Sequence, residues 1–342
     1  MIGPKPEGSP SLADNQQEAD AIINELWKGG TVTTVGKGRV FAAADTAAAL
    51  QTMKLAPDLT YTKPNADSKV MFIHRRLADG DLYFLSNRVD RAETIDASFR
   101  VTGRKAELWD PATGRTSPAS YRMEGDRTHV TAPLDRLGSV FVVFRQPARG
   151  ERTRALPERT EQTVTDLPAP WQVAFQADRG APATATFDRL IDFRESPDPG
   201  IRYFSGIATY TKEVTLPAQP QGSRLWIDLG QVCDLAEVRV NGKLMGTVWK
   251  PPYRVEIVGG VTPGVNRIEI KAVNLWVNRL IGDVQPGVTR KYTFTFVDGK
   301  PLSAAEGRGG RGAAMPYRAD SPLRASGLLG PVKIVREVQA AQ

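Results

Sequence analysis

The residues best suited to chemistry lie in one short run near the end of the chain, NLWVNRLIGD at positions 274–283. The run combines an aromatic ring with amide, guanidinium and carboxylate groups, on Asn274, Trp276, Asn278, Arg279 and Asp283. A sugar presents hydroxyl groups around apolar C–H faces, so its site needs an aromatic platform and side chains that donate and accept hydrogen bonds. The run is therefore a candidate for carbohydrate contact. The favoured interpretation is structural, with Trp276 filling a core or an interface and Arg279 and Asp283 forming an i, i+4 ion pair.

A second aromatic pair stands at WKPPY, positions 249–253. Trp249 and Tyr253 flank two prolines, whose fixed φ angles hold the rings in a rigid corner. Both are candidates for sugar contact on the same chemical grounds. For this corner, packing of the rings is the favoured interpretation.

Catalytic chemistry has weaker signals. Glycoside hydrolysis needs two carboxyl groups ~5 to 9.5 Å apart, and neither Asp192 with Glu195 nor any other pair stands out. His74 and His129 have no HExxH spacing and no Gly-x-Ser-x-Gly partner, so zinc and serine mechanisms lack their parts. We predict no catalytic residue and no metal ligands. His74, on a predicted strand, is interpreted as structural, with a place at the rim of an active site as the alternative.

Strands are expected to position these residues. Leu225, Ile227 and Leu229 alternate with polar or aromatic neighbours, the period of two that gives a strand one core face. Asn241-Gly242 lies between apolar runs and predicts a type I′ hairpin. Asp79-Gly80 gives the same signal among the short strands of residues 63–148. Residues 299–316, rich in Gly and Ala, favour a mobile loop between two late strands.

Several motifs in order resemble known enzymes: residues 226–230, WIDLG; 237–242, EVRVNG; 246–253, GTVWKPPY; and 263–266, PGVN. They are similar to the sugar-binding jelly-roll domain of family 2 glycoside hydrolases. The run at 274–283 and the closing SGLLGPV at 326–332 resemble the C-terminal part of the α-L-rhamnosidases of glycoside hydrolase family 106. Residues 72–75, 81–87 and 99–103 look like the same family.

The resemblance implies that the catalytic carboxylates belong to a barrel domain that comes earlier in such enzymes. Calcium, associated with catalysis in that family, would lie there too, and no cofactor is predicted in this chain. The partners implied are a rhamnose-containing glycan and the upstream catalytic domain. The resemblance also implies export to the periplasm or beyond, although no signal peptide is visible at the start of the sequence.

The predicted fold class is mainly β, with two β-sandwich domains, the second a galactose-binding-like jelly roll. The predicted divisions are an incomplete α/β segment at 1–62, the tail of an upstream domain; a β-sandwich at 63–148; a linker at 149–160; and the jelly roll at 161–340. A small helical cap is the alternative for the first segment.

Composition narrows the class of protein. Forty-five basic residues are dispersed among 38 acidic ones, for a net charge of +7, and this dispersion argues against a nucleic-acid stripe. No apolar stretch approaches the ~20 residues needed to span a bilayer, so no membrane partner is predicted. Cys233, the single cysteine, excludes an intrachain disulfide and is interpreted as a core residue.

Three functions follow as hypotheses. The first is an accessory part, carbohydrate-binding or structural, of an α-L-rhamnosidase-like glycoside hydrolase that acts on polysaccharides and is not catalytic alone. The second is a free-standing carbohydrate-binding protein in which Trp276 and Asn278 contact the sugar. The third is a purely structural β-sandwich module.

Overall fold

The computed structural model describes residues 1–11, 13–42, 45–157, 159–220, 222–297, 300–303 and 317–339. Antiparallel strands dominate these ranges and helices are few and short. The prediction of a mainly β chain with two sandwich domains is confirmed. None of the helices in the described ranges has the length and apolar character needed to cross a membrane.

The first segment holds two helices and one hairpin: α1 (Gln16–Leu26), β1 (Val32–Val35), β2 (Gly38–Phe41) and α2 (Thr46–Thr52). Asp45 caps α2, because its carboxylate accepts a hydrogen bond from the Ala48 amide at 2.7 Å. Asn15 caps α1, and its side chain accepts hydrogen bonds from two amides of the first turn.

The first sandwich contains ten strands: β3 (Leu59–Tyr61), β4 (Val70–Leu77), β5 (Gly80–Asn87), β6 (Glu93–Phe99), β7 (Arg104–Trp109), β8 (Thr116–Pro118), β9 (Tyr121–Glu124), β10 (Arg127–Leu134), β11 (Ser139–Pro147) and β12 (Thr153–Arg154). They form two sheets, in the orders β12-β9-β10-β6-β3 and β4-β5-β11-β7-β8. The inner faces enclose one core, in which the rings of Tyr83, Phe99 and Phe144 pack with centroids 4.8 to 6.2 Å apart.

The second sandwich has its own core. Its main strands are β13 (Arg159–Asp166), β14 (Trp171–Phe175), β15 (Thr184–Phe187), β16 (Gly206–Leu216), β17 (Arg224–Asp228), β18 (Gln231–Val232), β19 (Leu235–Val240), β20 (Lys243–Val248), β21 (Arg254–Glu256), β22 (Gly264–Asn274), β23 (Phe294–Val297), β24 (Lys300–Ser303), β25 (Leu328–Gly330) and β26 (Lys333–Gln339). The two large sheets have the orders β13-β26-β17-β21 and β15-β14-β16-β22-β19-β20. Two short helices, α3 (Pro199–Arg202) and α4 (Val277–Asp283), and a 3-10 turn at Phe193–Glu195 complete the fold.

The run at 274–283 ends in helix α4, in which the Leu280 amide donates to the Trp276 carbonyl. Close packing fits this helix, since a Cβ on Gly282 would overlap the side chain of Tyr203. Residues 300–303 pair with β23 as strand β24, so the predicted loop is wrong there, and residues 304–316 lie outside the described ranges. The predicted linker at 149–160 contains β12 and the start of β13.

The two predicted hairpins form for different reasons. Asn241 and Gly242 occupy the turn between β19 and β20 with φ of 52° and 79°, as a type I′ turn requires. In the other hairpin Leu77 pairs with Gly80, so the turn residues are 78 and 79. Gly80 lies in the strand, where a Cβ would overlap the Phe144 carbonyl oxygen. Its missing side chain permits close backbone approach and not a left-handed turn.

Candidate carbohydrate-binding site

The strand-end run at 274–283 is a buried brace. Asn274, Asn278, Arg279 and Asp283 are each exposed by 4% or less. Asn278 holds the backbone of Arg324 on both sides, donating to its carbonyl at 2.7 Å and accepting from its amide at 2.8 Å. The side-chain oxygen Oδ1 of Asn274 accepts from the Gly327 amide at 2.7 Å. The two asparagine side chains therefore tie α4 and β22 to the segment that leads into β25.

Arg279 and Asp283 complete this brace. The predicted i, i+4 ion pair is present, with Arg279 Nε 2.9 Å from Asp283 Oδ1. The other carboxylate oxygen accepts three hydrogen bonds, from the Tyr292 amide and from the amide and hydroxyl of Thr293, at 2.7 to 2.9 Å. These three hydrogen bonds tie helix α4 to residues 292 and 293. Sugar contact by the four buried side chains stays a prediction that their burial does not support.

Trp276 lies at the surface end of the same run and is 45% exposed. The guanidinium of Arg179 lies over its ring, 4.5 Å from the centroid. One face of this indole is therefore occupied by a cation–π contact within the protein.

The aromatic corner divides between core and solvent. Tyr253 is half-buried against the core of the second sandwich, and burial raises the pKa of its hydroxyl. Trp249 is 62% exposed. The favoured packing interpretation therefore holds for Tyr253 and does not describe Trp249.

Trp249 stands at a cleft of about 490 Å³ between the two sandwiches. The first sandwich contributes the loop between β7 and β8 and the end of β10, and the second contributes β17, β21 and the corner. The polar and aromatic lining residues are Asp110, Thr113, Arg115, Asp135, Glu161, Trp226, Thr247, Trp249, Lys250, Arg254 and Glu337. Its size lies within the range of ligand pockets, ~300 to 1,000 Å³, which favour domain interfaces.

The wall of the cleft is where the domains join. Arg115 of the first sandwich forms an ion pair with Glu256 of the second. The same guanidinium lies 5.6 Å from the centroid of Trp226, which Arg224 and Arg254 also cover, at 5.1 and 5.6 Å. The ring of Trp226 is therefore covered at the junction between the domains, and Trp249 supplies the solvent-facing ring of the cleft.

Asp135 of the first sandwich and Lys250 of the second both line the cleft. Although Asp135 keeps contact with solvent, desolvation by the surrounding protein raises the pKa of its carboxyl; the Lys250 charge opposes the rise and Asp110 adds to it. Sequence reasoning missed Asp110, Asp135 and Lys250 as site residues. No local pattern marks them, because the cleft exists only where two domains meet.

His74, interpreted as structural with an active-site rim as the alternative, is half-buried in the first sandwich. Its ring nitrogens lie 3.1 Å from Asp58 Oδ2 and 3.0 Å from Asp81 Oδ1, and its ring stacks on Tyr83 with centroids 4.1 Å apart. Partial burial acts to raise the pKa of Asp58, but hydrogen bonds from His74 and Arg100 bring it below the ordinary value. All of these contacts are internal, as the structural interpretation predicts.

The strand that carries His74 exposes apolar side chains. β4 is an edge strand, and Met71 and Ile73 are 56% and 62% exposed. Register places Ile73 beside Phe84, and Phe84 beside Phe141, on the outer face of the sheet. The rings of Phe84 and Phe141 lie 5.1 Å apart and are only half-buried. This row, Ile73–Phe84–Phe141, is termed the outer apolar row. Among the described residues no group of three or more His, Cys, Asp or Glu side chains is arranged to hold a metal ion.

The chain is similar in sequence and in fold to known rhamnosidases. Residues 1–123 match the family model for alpha-L-rhamnosidase of glycoside hydrolase family 106. The solved rhamnosidase from Novosphingobium sp. PP1Y is 44% identical with a TM-score of 0.82, over 98% of this chain and 30% of that one. The chain is thus similar to the Novosphingobium rhamnosidase along almost its whole length. The predicted resemblance to the α-L-rhamnosidases of family 106 is confirmed.

The other relatives are more distant. The Formosa agariphila protein named "Putative beta-glucuronidase" is 36% identical over 186 residues, 50% of this chain and 16% of that protein. A Ruminococcus gnavus beta-glucuronidase aligns over 54% of this chain and 29% of that one, at 18% identity and a TM-score of 0.34. An alignment that loose does not bear on the family 2 jelly-roll prediction. The chain spans less than a third of the length of each of these relatives.

Proposed function

We propose that this chain is the C-terminal accessory portion of an α-L-rhamnosidase-like glycoside hydrolase that acts on polysaccharides, with its catalytic domain outside the chain. The observation that carries the proposal is the match to the Novosphingobium rhamnosidase, which takes in 98% of this chain and only 30% of that protein. Export to the periplasm or the extracellular space is part of the proposal and rests on the resemblance.

The positions of Asp192 and Glu195, the carboxylates considered from the sequence, support a non-catalytic role. Asp192 is 8% exposed and accepts hydrogen bonds from the amides of Arg194 and Ser326. It caps the turn at Phe193–Glu195, a structural task that occupies the carboxylate. Glu195, by contrast, is on the surface, where it forms a loose ion pair with Arg189 at 3.6 Å.

The outer apolar row supports a larger parent protein. An exposed apolar surface on an edge strand is costly in water unless another part of a protein covers it. We therefore assign the outer face of the sheet formed by β4, β5 and β11 to contact with the catalytic domain.

The proposal is tested by assaying release of rhamnose from an aryl α-L-rhamnoside. This chain alone is expected to release none. It is expected to restore activity to a form of the Novosphingobium rhamnosidase from which the matched segment has been deleted. Release of rhamnose by this chain alone would overturn the non-catalytic assignment.

A matched pair of variants locates the contact. Ile73→Asp is expected to prevent restoration, because it places a charge in the apolar contact. Val265→Asp is the control, since Val265 is also 62% exposed but lies on β22 of the second sandwich. Equal loss in both variants, or in neither, would remove the outer apolar row from the proposal.

Carbohydrate binding without a catalytic partner is the second candidate function. The cleft with the exposed Trp249 favours it over a purely structural module, because a module that only braces has no need of a solvent-facing indole beside hydrogen-bonding groups.

A further inference from the structure

We infer that the cleft between the two sandwiches is a binding subsite for a neutral oligosaccharide, with the Trp249 ring as its stacking platform. The choice of a saccharide as the ligand class rests on the proposed function. The location and the preference for a neutral chain rest on the geometry of the cleft.

The tryptophan rings differ in whether a cation covers them. Four tryptophans, Trp109, Trp171, Trp226 and Trp276, have a Lys or Arg cation within 6 Å of the ring centroid. Within the described part of the chain, Trp249 has no cation or aromatic ring packed on it, and it is the most exposed tryptophan among the large apolar side chains at the surface. A sugar stacks through its C–H face, so it needs an indole face of this kind.

Hydrogen-bonding groups suited to sugar hydroxyls line the cleft beside the Trp249 ring. Lys250 can donate and Asp135 can accept, and neither side chain has a hydrogen bond to another described residue. Thr247 adds a hydroxyl group that can do both. Asp110 is oriented by its bonds to the Ala112 amide and the Thr113 hydroxyl, at 2.8 and 2.7 Å. Oriented acceptors and donors next to an apolar platform match the alternation of hydroxyl and C–H groups on a sugar.

The charged side chains that line the cleft favour a neutral ligand. Four acidic and three basic side chains line the cleft. Arg115 is already paired with Glu256, and Arg254 with Glu161. Lys250 alone among the lining cations has no ion-pair partner in the described residues. Glu161 and Glu337 are paired as well, which leaves the carboxylates of Asp110 and Asp135 against one cation. A polyanion would therefore meet more unpaired carboxylates than cations, and a like-charge contact disfavours binding. A neutral oligosaccharide meets no such repulsion.

The test uses the full chain and two oligosaccharide probes. One is a neutral rhamno-oligosaccharide and the other an oligogalacturonate of similar length, each titrated by calorimetry. The neutral probe is expected to bind more tightly. Trp249→Ala is expected to weaken its binding by about tenfold or more, with an unchanged circular dichroism spectrum. Trp276→Ala is the matched control and is expected to leave the affinity within about twofold.

The outcomes separate this inference from the proposed function. Loss of binding in Trp276→Ala with none in Trp249→Ala would move the site to the strand-end run and overturn the inference. Stronger binding of the uronate probe would overturn the neutral preference, and absence of binding by the unmodified chain would overturn the subsite itself. None of these outcomes bears on restoration of rhamnosidase activity, which tests the proposed function by itself.

Discussion

The strand-end run at 274–283 and the aromatic corner at 249–253 have similar composition and opposite positions in the fold. Each places a tryptophan among polar groups just beyond a strand. In the run, the polar side chains turn inward and are almost fully buried. In the corner, the tyrosine packs on the core and the tryptophan faces an open cleft. The same residue types therefore brace the fold in one place and remain available to a ligand in the other.

The difference lies in where the hydrogen bonds of the polar groups end. Those of Asn278 and Asp283 end on groups of the same domain, among them the backbone of Arg324, Tyr292 and Thr293. Those of Lys250 and Asp135 are open to the cleft. A polar residue near a tryptophan indicates a ligand site only when its bonding capacity is not already spent on the protein.

The largest effect is expected for Asp283→Ala. Removing this carboxylate leaves Arg279 buried without its partner and three donors unsatisfied, so we expect a loss of about 3 to 5 kcal/mol in the free energy of unfolding. Urea denaturation followed by fluorescence measures it. Asp178→Ala is the control, because its ion pair with Arg290 is exposed. A loss below about 1 kcal/mol would place the ion pair outside the stabilising brace.

A smaller loss is expected for Asn278→Ala. The change removes the hydrogen bonds of Asn278 to the amide and the carbonyl of Arg324, and a typical hydrogen bond of this kind contributes about 0.5 to 1.5 kcal/mol. The same denaturation experiment measures it. If Asn278 bound a ligand and did not brace the fold, the variant would instead retain its stability and lose glycan affinity.

The rate at which the Cys233 thiol is alkylated, and the dependence of that rate on pH, report on the buried brace. Burial raises the pKa of its thiol to about 11. Because alkylation requires the thiolate, its rate in the native protein is expected to rise about tenfold per pH unit between pH 7 and 9, without the plateau of a thiol of ordinary pKa. Iodoacetamide labelling followed by mass spectrometry measures it. The Cys233 amide bonds to Gly327, which Asn274 holds, so Asn274→Ala is expected to speed labelling and Trp249→Ala to leave it unchanged.

The smallest effect is expected for Trp249→Ala on stability. An exposed ring contributes little to the core, so the free energy of unfolding is expected to change by no more than about 0.5 kcal/mol. The comparison fails if this variant is as unstable as Asn278→Ala, since Trp249 would then be a packing residue.

Much of the fold could be predicted from local pattern. Alternation of apolar residues in β17 and β19, the Asn241-Gly242 turn and the Asp45 cap are decided by neighbours in sequence. The pairing of Arg279 with Asp283 is local too. What could not be predicted depends on distant segments: the burial of Asn278 requires Arg324, and the cleft requires the loop after β7 to meet the corner. The role of Gly80 could not be read either, because the atom that excludes a side chain there belongs to Phe144, on β11.

The edge strand β4 has a consequence for handling the protein. Its outer backbone amides and carbonyls have no strand beside them among the described residues, and Met71 and Ile73 project next to them. Two molecules in concentrated solution can extend each other's sheets along this border, and fibrillar or amorphous precipitate is the usual end of that process. Arg75 and Arg76, at the far end of the same strand, oppose this pairing, because their positive charges repel those of a second molecule. Solubility should therefore fall with added salt, which screens those two charges before it weakens the apolar contact.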